Sequence, residues 1–408
     1  MALRFRCLAL LPALAMIAID ARADAVTDWN IQAFDSFKAA GIGGNPQFRA
    51  LAILHVAMSD AVNTVQNRYA RQVLDGPLEP SASADAAAIA AARGVLSALA
   101  PTQKAKLDAA YAAALAPLPE GAARNAGIAI GERAAAAAIA DRANDATNAP
   151  DTYRPLTAPG SWIPTTPPLF AEYARARPWV LARPDQFRPG PPPALDSAAY
   201  ARDYNETKEL GAAKSTSRTA QQTEAVKFWS QPNLGSVWFE AARQTSAARG
   251  LDLADNARLF AWLAMAGANS FIVDWDAKFV YNRWRPITAI RNGDQDGNDA
   301  TERDAGWTPL NATPMHPEYP SQAAILASTT AGVLQAVFGP GAGPAITVTD
   351  NADAKLTRRF DNFAAIVEET RLVRIWGGIH FRSALEASDL MGRQLAAYVV
   401  ANSLQKPR

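Results

Sequence analysis

Cysteine is nearly absent from this 408-residue chain: there is one, Cys7, alongside three histidines, at 55, 316 and 380. One thiol excludes a disulfide scaffold and a cysteine-based zinc site. Three scattered imidazoles leave little room for a His-rich metal cluster. No charge excess exists either: 40 Lys and Arg face 39 Asp and Glu, a net +1. That balance argues against nucleic acid as a partner, which calls for a basic stripe or patch. No convincing period-two alternation is visible, so β architecture is not expected. What remains is ordinary globular composition, 49% hydrophobic and 19% charged, at a length where core burial is not limiting.

Residues 1–23 read as a secretory signal. Arg4 and Arg6 precede an apolar run over 7–19, and Ala21-Arg22-Ala23 has the small-x-small form of a cleavage site. The run is too short to span a bilayer, and Cys7 lies inside it rather than at its end, so a lipoprotein is not indicated. Cleavage would remove the only cysteine. The expectation is an exported bacterial protein, periplasmic or secreted, with no integral membrane segment in the mature chain. The most apolar later stretch, 259–273, is flanked by Arg258 and Asp274 and reads as a buried core helix.

The remainder, 24–408, reads as one all-α domain built as a helical bundle. Thr27 is a candidate cap for a helix to Ala39, and 48–65 has apolar residues at helical spacing. Residues 83–143 are Ala-rich and predict about three closely packed helices. Residues 148–195 are crowded with proline, which forbids regular helix, yet carry Trp162, Phe170, Tyr173, Trp179 and Phe187. They read as an ordered irregular segment that walls a site, with a domain linker as the rival. Further helices are expected at about 198–211, 217–230, 236–249, 253–283, 321–338, 354–376 and 381–403, with 253–403 as the core of an anion site.

Three segments concentrate the chemistry. In Lys278-Phe-Val-Tyr-Asn-Arg-Trp-Arg285-Pro286, two cations lie seven residues apart, close to two helical turns, before a proline stop. In His316-Pro-Glu-Tyr-Pro-Ser321-Gln322-Ala323, Ser321 occupies an expected N-cap, where free N–H groups and the helix dipole favour an anion. In Arg374-Ile-Trp-Gly-Gly-Ile-His380, a glycine pair permits a break that brings Arg374 and His380 to one spot. Each has a plainer reading, as a solvated basic face, an ordinary cap and a core histidine.

In order and spacing the three segments resemble the motifs K-x6-R-P, P-S-G-H and R-x5-H of the vanadium-dependent haloperoxidase and type 2 phosphatidic acid phosphatase superfamily. The 24–29, 55–63, 186–193 and 284–291 stretches resemble its soluble bacterial haloperoxidase-like branch. The resemblance implies an all-α fold and a site for vanadate, or phosphate in its place. Lys278, Arg285, Ser321, Gln322 and Arg374 would hold the oxygens, and His380 would ligate vanadium or act as the phosphatase nucleophile. It implies small-molecule substrates: peroxide and halide, or a phosphate ester. Oligomerisation is left open.

Two departures stand out. P-S-G-H reads Pro320-Ser321-Gln322-Ala323, so the superfamily's acid–base histidine is Ala323. Losing a positioned acid costs about 10²–10⁴ in rate. The Asp that often follows the nucleophilic histidine by four residues is Ala384, which leaves no visible group to orient His380. His316 or Glu318 could stand in as the acid, though a structural role for this stretch is the preferred reading. His55 reads as a core or second-shell histidine. Asp294-Gln-Asp296-Gly-Asn298-Asp299 suggests calcium by ligand spacing, but its glycine is at the fourth position and Ala305 at the twelfth, so a polar turn is preferred. Three readings follow: a peroxide-dependent halide oxidase of reduced or altered activity, a phosphomonoesterase, and a non-catalytic oxyanion-binding protein.

Overall fold

The computed structural model describes residues 24–407 apart from 165, 231–233, 342–344 and 350–355. The signal-peptide reading of 1–23 lies outside the described residues. Among those described the chain is all-α, with one two-stranded exception. The first helices are α1 (Ala25–Ala39), α2 (Gly44–Gln66), α3 (Ala84–Leu99), α4 (Lys104–Leu115) and α5 (Ala122–Asp141). After the proline-rich stretch come α6 (Ala198–Gly211), α7 (Ala220–Trp229), α8 (Leu234–Arg249), α9 (Leu253–Tyr281) and α10 (Pro286–Arg291). The last three are α11 (Gln322–Phe338), α12 (Phe363–Trp376) and α13 (Arg382–Asn402).

The 29-residue α9 is the axis of the bundle. It is apolar on nearly every side, and it packs against α2 on one flank and α11 and α13 on another. Through α2 the bundle continues to α3 and α5. There the helices approach on small residues: a Cβ at Gly131 would lie 2.7 Å from the Ala90 Cβ, and one at Gly94 2.8 Å from the Ala135 Cβ. Ala and Gly faces permit this spacing where Leu would hold the axes apart. No single helix among the described residues is long and apolar enough to cross a membrane.

Several local expectations are corrected. Thr27 does not cap α1. Asp24 does, accepting from the Val26 and Thr27 N–H groups, and Thr27 closes the reciprocal side of the capping box. The helix expected from 354 begins only at Phe363. Ahead of it β1 (Ile346–Thr349) and β2 (Thr357–Phe360) pair antiparallel, Ile346 opposite Phe360. Ile-Thr-Val-Thr does alternate buried and exposed, but four residues are too few to register as a pattern.

Among its described residues the 148–195 stretch contains only two short 3₁₀ turns, Ala171–Arg175 and Pro184–Phe187. It lies along α9: the Trp179 N–H donates to Asn269 Oδ1 at 2.9 Å, the Trp162 N–H to the Asn282 carbonyl at 2.7 Å, and Arg188 pairs bidentately with Asp276. It also meets the loop before α11, where the Tyr319 hydroxyl donates to the Gly190 carbonyl at 2.8 Å. The segment thus ties the end of α9 to the loop carrying the second motif. In the acidic stretch at 294–299, Asp296 accepts from the Asn298 N–H and the Thr301 hydroxyl, and Asn298 donates to the Leu195 and Ser197 carbonyls. Both side chains serve a polar turn.

Candidate oxyanion site

Lys278 and Arg285 do not share a helix face, as their spacing suggests. α9 stops at Tyr281, and Asn282 takes a left-handed conformation (φ 46°). The chain then reverses, and Pro286 opens α10 with Arg285 as its N-cap residue. The reversal, not the helical repeat, returns Arg285 toward Lys278. Arg374 sits near the end of α12. Gly378 (φ +75°) breaks the chain where a Cβ would lie 2.8 Å from Pro309, and His380 follows two residues later. Ser321 is the N-cap residue of α11 and Gln322 its first helical residue.

His380 is buried, and its two ring nitrogens have different partners. Nε2 is 3.0 Å from Arg285 Nη1. A guanidinium only donates, so Nε2 accepts, and the ring proton is on Nδ1. That proton is donated to Glu318 Oε1 at 2.9 Å. The same carboxylate oxygen accepts from the Phe381 N–H at 2.9 Å. Glu318 is therefore the orienting group that the sequence did not reveal. It occupies the role left open by Ala384, and it is not free to serve as the missing acid. Burial, then the nearby Arg285 and Lys278 charges, hold the His380 imidazole well below its ordinary value, so it is neutral with its lone pair on Nε2. Burial raises the Glu318 carboxyl.

The other end of the Arg285 guanidinium meets His316, whose Nδ1 accepts from Nη2 at 3.0 Å. Arg285 also donates to the His316 and Ile379 carbonyls at 2.9 and 2.7 Å. It clamps the second and third motifs together. Lys278 is wholly buried and has no free proton: its ammonium donates to the Pro317 carbonyl at 3.0 Å, to Glu318 at 3.2 Å and to Pro320. Its contacts hold the 317–320 loop, and its charge acts on the site through space. Asp274, one turn earlier on α9, lies 3.6 Å from that ammonium.

Among the buried donors without a partner, three lie in the second and third motifs. Arg374 is 7% exposed and donates through Nη2 to the Trp229 carbonyl at 3.0 Å, yet its Nε is unbonded. It forms no ion pair among the described residues. Burial alone pushes its guanidinium down to about 10, with no carboxylate opposing. Ser321 uses its N–H on Ser388 Oγ at 2.7 Å, but its hydroxyl neither caps α11 nor bonds elsewhere. The Gln322 Nε2 is also buried and unpartnered. Buried polar groups are nearly always satisfied, and an orphan costs about 1–3 kcal/mol. These three, all donors, come from the second and third motifs, and the first motif adds the Asn282 Nδ2 and Trp284 Nε1. An acceptor-rich ligand matches such a set.

His55 lies elsewhere, in the α2 core. Its Nε2 accepts from Asn30 Nδ2 at 2.8 Å, and burial pushes it down to about 3. It has no part in the oxyanion site.

Residues 258–406 match the family model described as the second helical-bundle domain of VCPO. Solved structures agree over nearly the whole chain. A bacterial vanadium-dependent iodoperoxidase superposes with a TM-score of 0.77 at 24% identity, covering 94% of this chain and 97% of that one. The chain thus has the fold of the vanadium haloperoxidases, and its C-terminal part matches their second helical-bundle domain. Apo and holo forms of a bacterial vanadium-dependent chloroperoxidase give TM-scores of 0.72 and 0.71, each at 18% identity, covering 88% and 94% of this chain and 93% and 94% of theirs. No curated protein matches the chain. The superfamily's fold thus spans both the N-terminal helices and the α9–α13 part that carries the three motifs.

Proposed function

We propose that this is an exported vanadium haloperoxidase-like protein that binds vanadate through Arg374, Ser321 and Gln322, within the field of Arg285 and Lys278, with His380 Nε2 as the protein's ligand to vanadium. The observation that carries this reading is Arg374, a buried guanidinium with an unbonded Nε and no carboxylate. A desolvated cation of this kind calls for an anion, and the neighbouring orphan donors suit one with several oxygens. The proposed chemistry supplied by bound vanadate is Lewis-acid activation of peroxide toward a halide.

The chain's own residues divide the remaining work. Glu318 holds the Nδ1 proton of His380, which keeps the ring in one tautomer with the lone pair on Nε2; that lone pair now accepts from Arg285, a bond that ligation of vanadium would replace. Arg374 Nε, the Ser321 hydroxyl and the Gln322 amide donate to oxyanion oxygens without prior rearrangement of their hydrogen bonds, because they have none to break. Lys278 fixes the loop that carries Ser321. Ala323 cannot transfer a proton, and Glu318 is committed to His380, so the activity expected is slow or altered. Export rests on the 1–23 sequence.

The same donors suit phosphate, so calorimetry with vanadate and phosphate tests the site, with peroxide-dependent bromide oxidation and aryl phosphate hydrolysis measured on the same protein. One competitive site is expected. Arg374→Ala is expected to weaken binding by about 1.5–3 kcal/mol, the value of a charge-assisted hydrogen bond. No oxyanion binding at millimolar concentration would end this reading. Binding without either turnover would leave an oxyanion-binding protein.

A further inference from the structure

The site contains a carboxylate that no step above uses. Asp274 is completely buried in the middle of the bundle, and neither of its oxygens has a hydrogen-bond partner. Buried carboxylates ordinarily accept several N–H bonds. Its nearest cation, Lys278, forms an ion pair with it at 3.6 Å, longer than a hydrogen bond, and the ammonium's short contacts go to the carbonyls of Pro317, Glu318 and Pro320. Asp274 therefore is not what holds Lys278 in place. The charged groups around it are Lys278 on its own helix, Arg285 beyond the α9 turn and Glu318 in the facing loop. All belong to the site. Arg283 is also near Glu318, but its guanidinium is turned onto the Tyr200 ring and the Pro193 carbonyl.

We infer that Asp274 is a counter-charge to Lys278 that makes the site select singly charged tetrahedral oxyanions over doubly charged ones. Burial pushes the Asp274 carboxyl up to about 7 and the Lys278 ammonium down to about 8; between these values the converging groups are mainly three cations, Lys278, Arg285 and Arg374, against two carboxylates, Asp274 and Glu318, with neutral histidines. That leaves one net positive charge to be matched. Without Asp274 the excess is two, and a dianion gains more from it than a monoanion. In a buried site one unit of charge shifts the affinity of each added ligand charge by about tenfold or more. A hydrogen-bonded Asp274 would have stabilised structure. An unbonded one contributes only its field, and the field acts on whatever anion sits beyond Lys278.

This inference rests on the oxyanion reading of the site, and the test separates the two. Perrhenate and sulfate are both tetrahedral, with one and two charges. Their affinities are measured by calorimetry on the purified protein and on Asp274→Asn, beside vanadate, at a pH between the values to which burial moves Asp274 (about 7) and Lys278 (about 8). The ratio is the quantity read, because the substitution does not change how water solvates either anion. Wild type is expected to favour perrhenate, and Asp274→Asn is expected to move the ratio toward sulfate by about tenfold. If Asp274→Asn does not fold, Asp274→Ser and Asp274→Ala make the same comparison. An unchanged ratio in a folded variant, with anions still binding, overturns the counter-charge inference and leaves the oxyanion site standing. Failure of vanadate, perrhenate and sulfate alike to bind wild type overturns both.

Discussion

Around Gly131 the interior is built of Ala and Gly, whereas around Arg285 it is built of ionisable groups, and both are equally closed to water. Where α3 meets α5, closeness is the design: small Ala and Gly faces touch. Where the end of α9 meets the loops before α11 and α13, Lys278, Arg285, Glu318 and His380 are each buried and each held by named donors or acceptors. The first region gains from the loss of water, and the second is charged against it. A fold that places so many buried charges on one side has to satisfy them locally. Those it leaves unsatisfied in the second and third motifs and beside Lys278, at Arg374, Ser321, Gln322 and Asp274, are where a ligand's contribution is to be sought. The two regions should therefore respond differently to substitution, one in stability and the other in binding and turnover.

The two buried histidines give the sharpest contrast. Both are pushed down by burial, but His55 Nε2 accepts from a neutral amide, and His380 Nε2 meets the Arg285 guanidinium. His380→Ala is expected to remove vanadate-dependent halide oxidation, and any aryl phosphate hydrolysis, to the detection limit, while His55→Gln leaves turnover within a few-fold. If His316→Ala silences the protein and His380→Ala does not, the reactive nitrogen has been assigned to the wrong ring. A smaller effect is expected one contact further out. Glu318→Gln keeps the shape but replaces the carboxylate that accepts the Nδ1 proton, and such orienting partners typically contribute 10–100-fold in affinity or activity. Turnover of Glu318→Gln equal to wild type would show that His380 is oriented some other way.

Much of this contrast was legible in the sequence, but unevenly. The all-α bundle and the segments bearing Lys278, Arg285, Ser321, Arg374 and His380 follow from helical periodicity and motif spacing. Their contacts do not. Glu318 reaches His380 across 62 residues of chain, and only the folded loop makes them neighbours. Lys278 and Arg285 look like a pair on one helix face, because seven residues is nearly two turns; the left-handed Asn282 ends that helix between them. Asp274 reads as the polar edge of an apolar run, yet it lies inside the bundle. Position along a helix gives a face, but whether that face meets solvent or another buried charge is decided by packing.

The small-residue region is broken by bulk. A Cβ at Gly131 would crowd the Ala87 carbonyl, the Ala90 Cβ and the Ala91 N–H together. Because two of those are backbone, α3 itself would have to move. Gly131→Val is expected to lower the free energy of unfolding by about 1–3 kcal/mol, the usual cost of overpacking, with vanadate affinity unchanged below the transition. Urea unfolding followed beside calorimetry checks both halves. A loss of affinity in a fully folded variant would mean that the Ala-rich helices position the site and do not merely support it.

The last contrast concerns protons. His55 is held at about 3 in the folded protein by burial first and by Arg243 second, against an ordinary value of 6.5. Between these values the unfolded chain binds a proton there that the folded chain refuses. Stability from neutral His55 is thus fully present above 6.5 and falls as the pH falls, by about 1.4 kcal/mol per unit, until the folded value is reached. At pH 7 the slope is still small; by pH 5 the accumulated loss is about 2 kcal/mol. His55→Gln removes the titrating group and nearly matches its volume. The variant is expected to lose less stability than wild type on going from pH 7 to pH 5, whatever its stability at pH 7, because every other titrating group is common to both. The two urea midpoints at each pH give the comparison directly. Equal pH slopes would mean that the unfolded chain does not take up that proton, or that the folded core admits it, and the dry character assigned to the α2 interior would have to be given up.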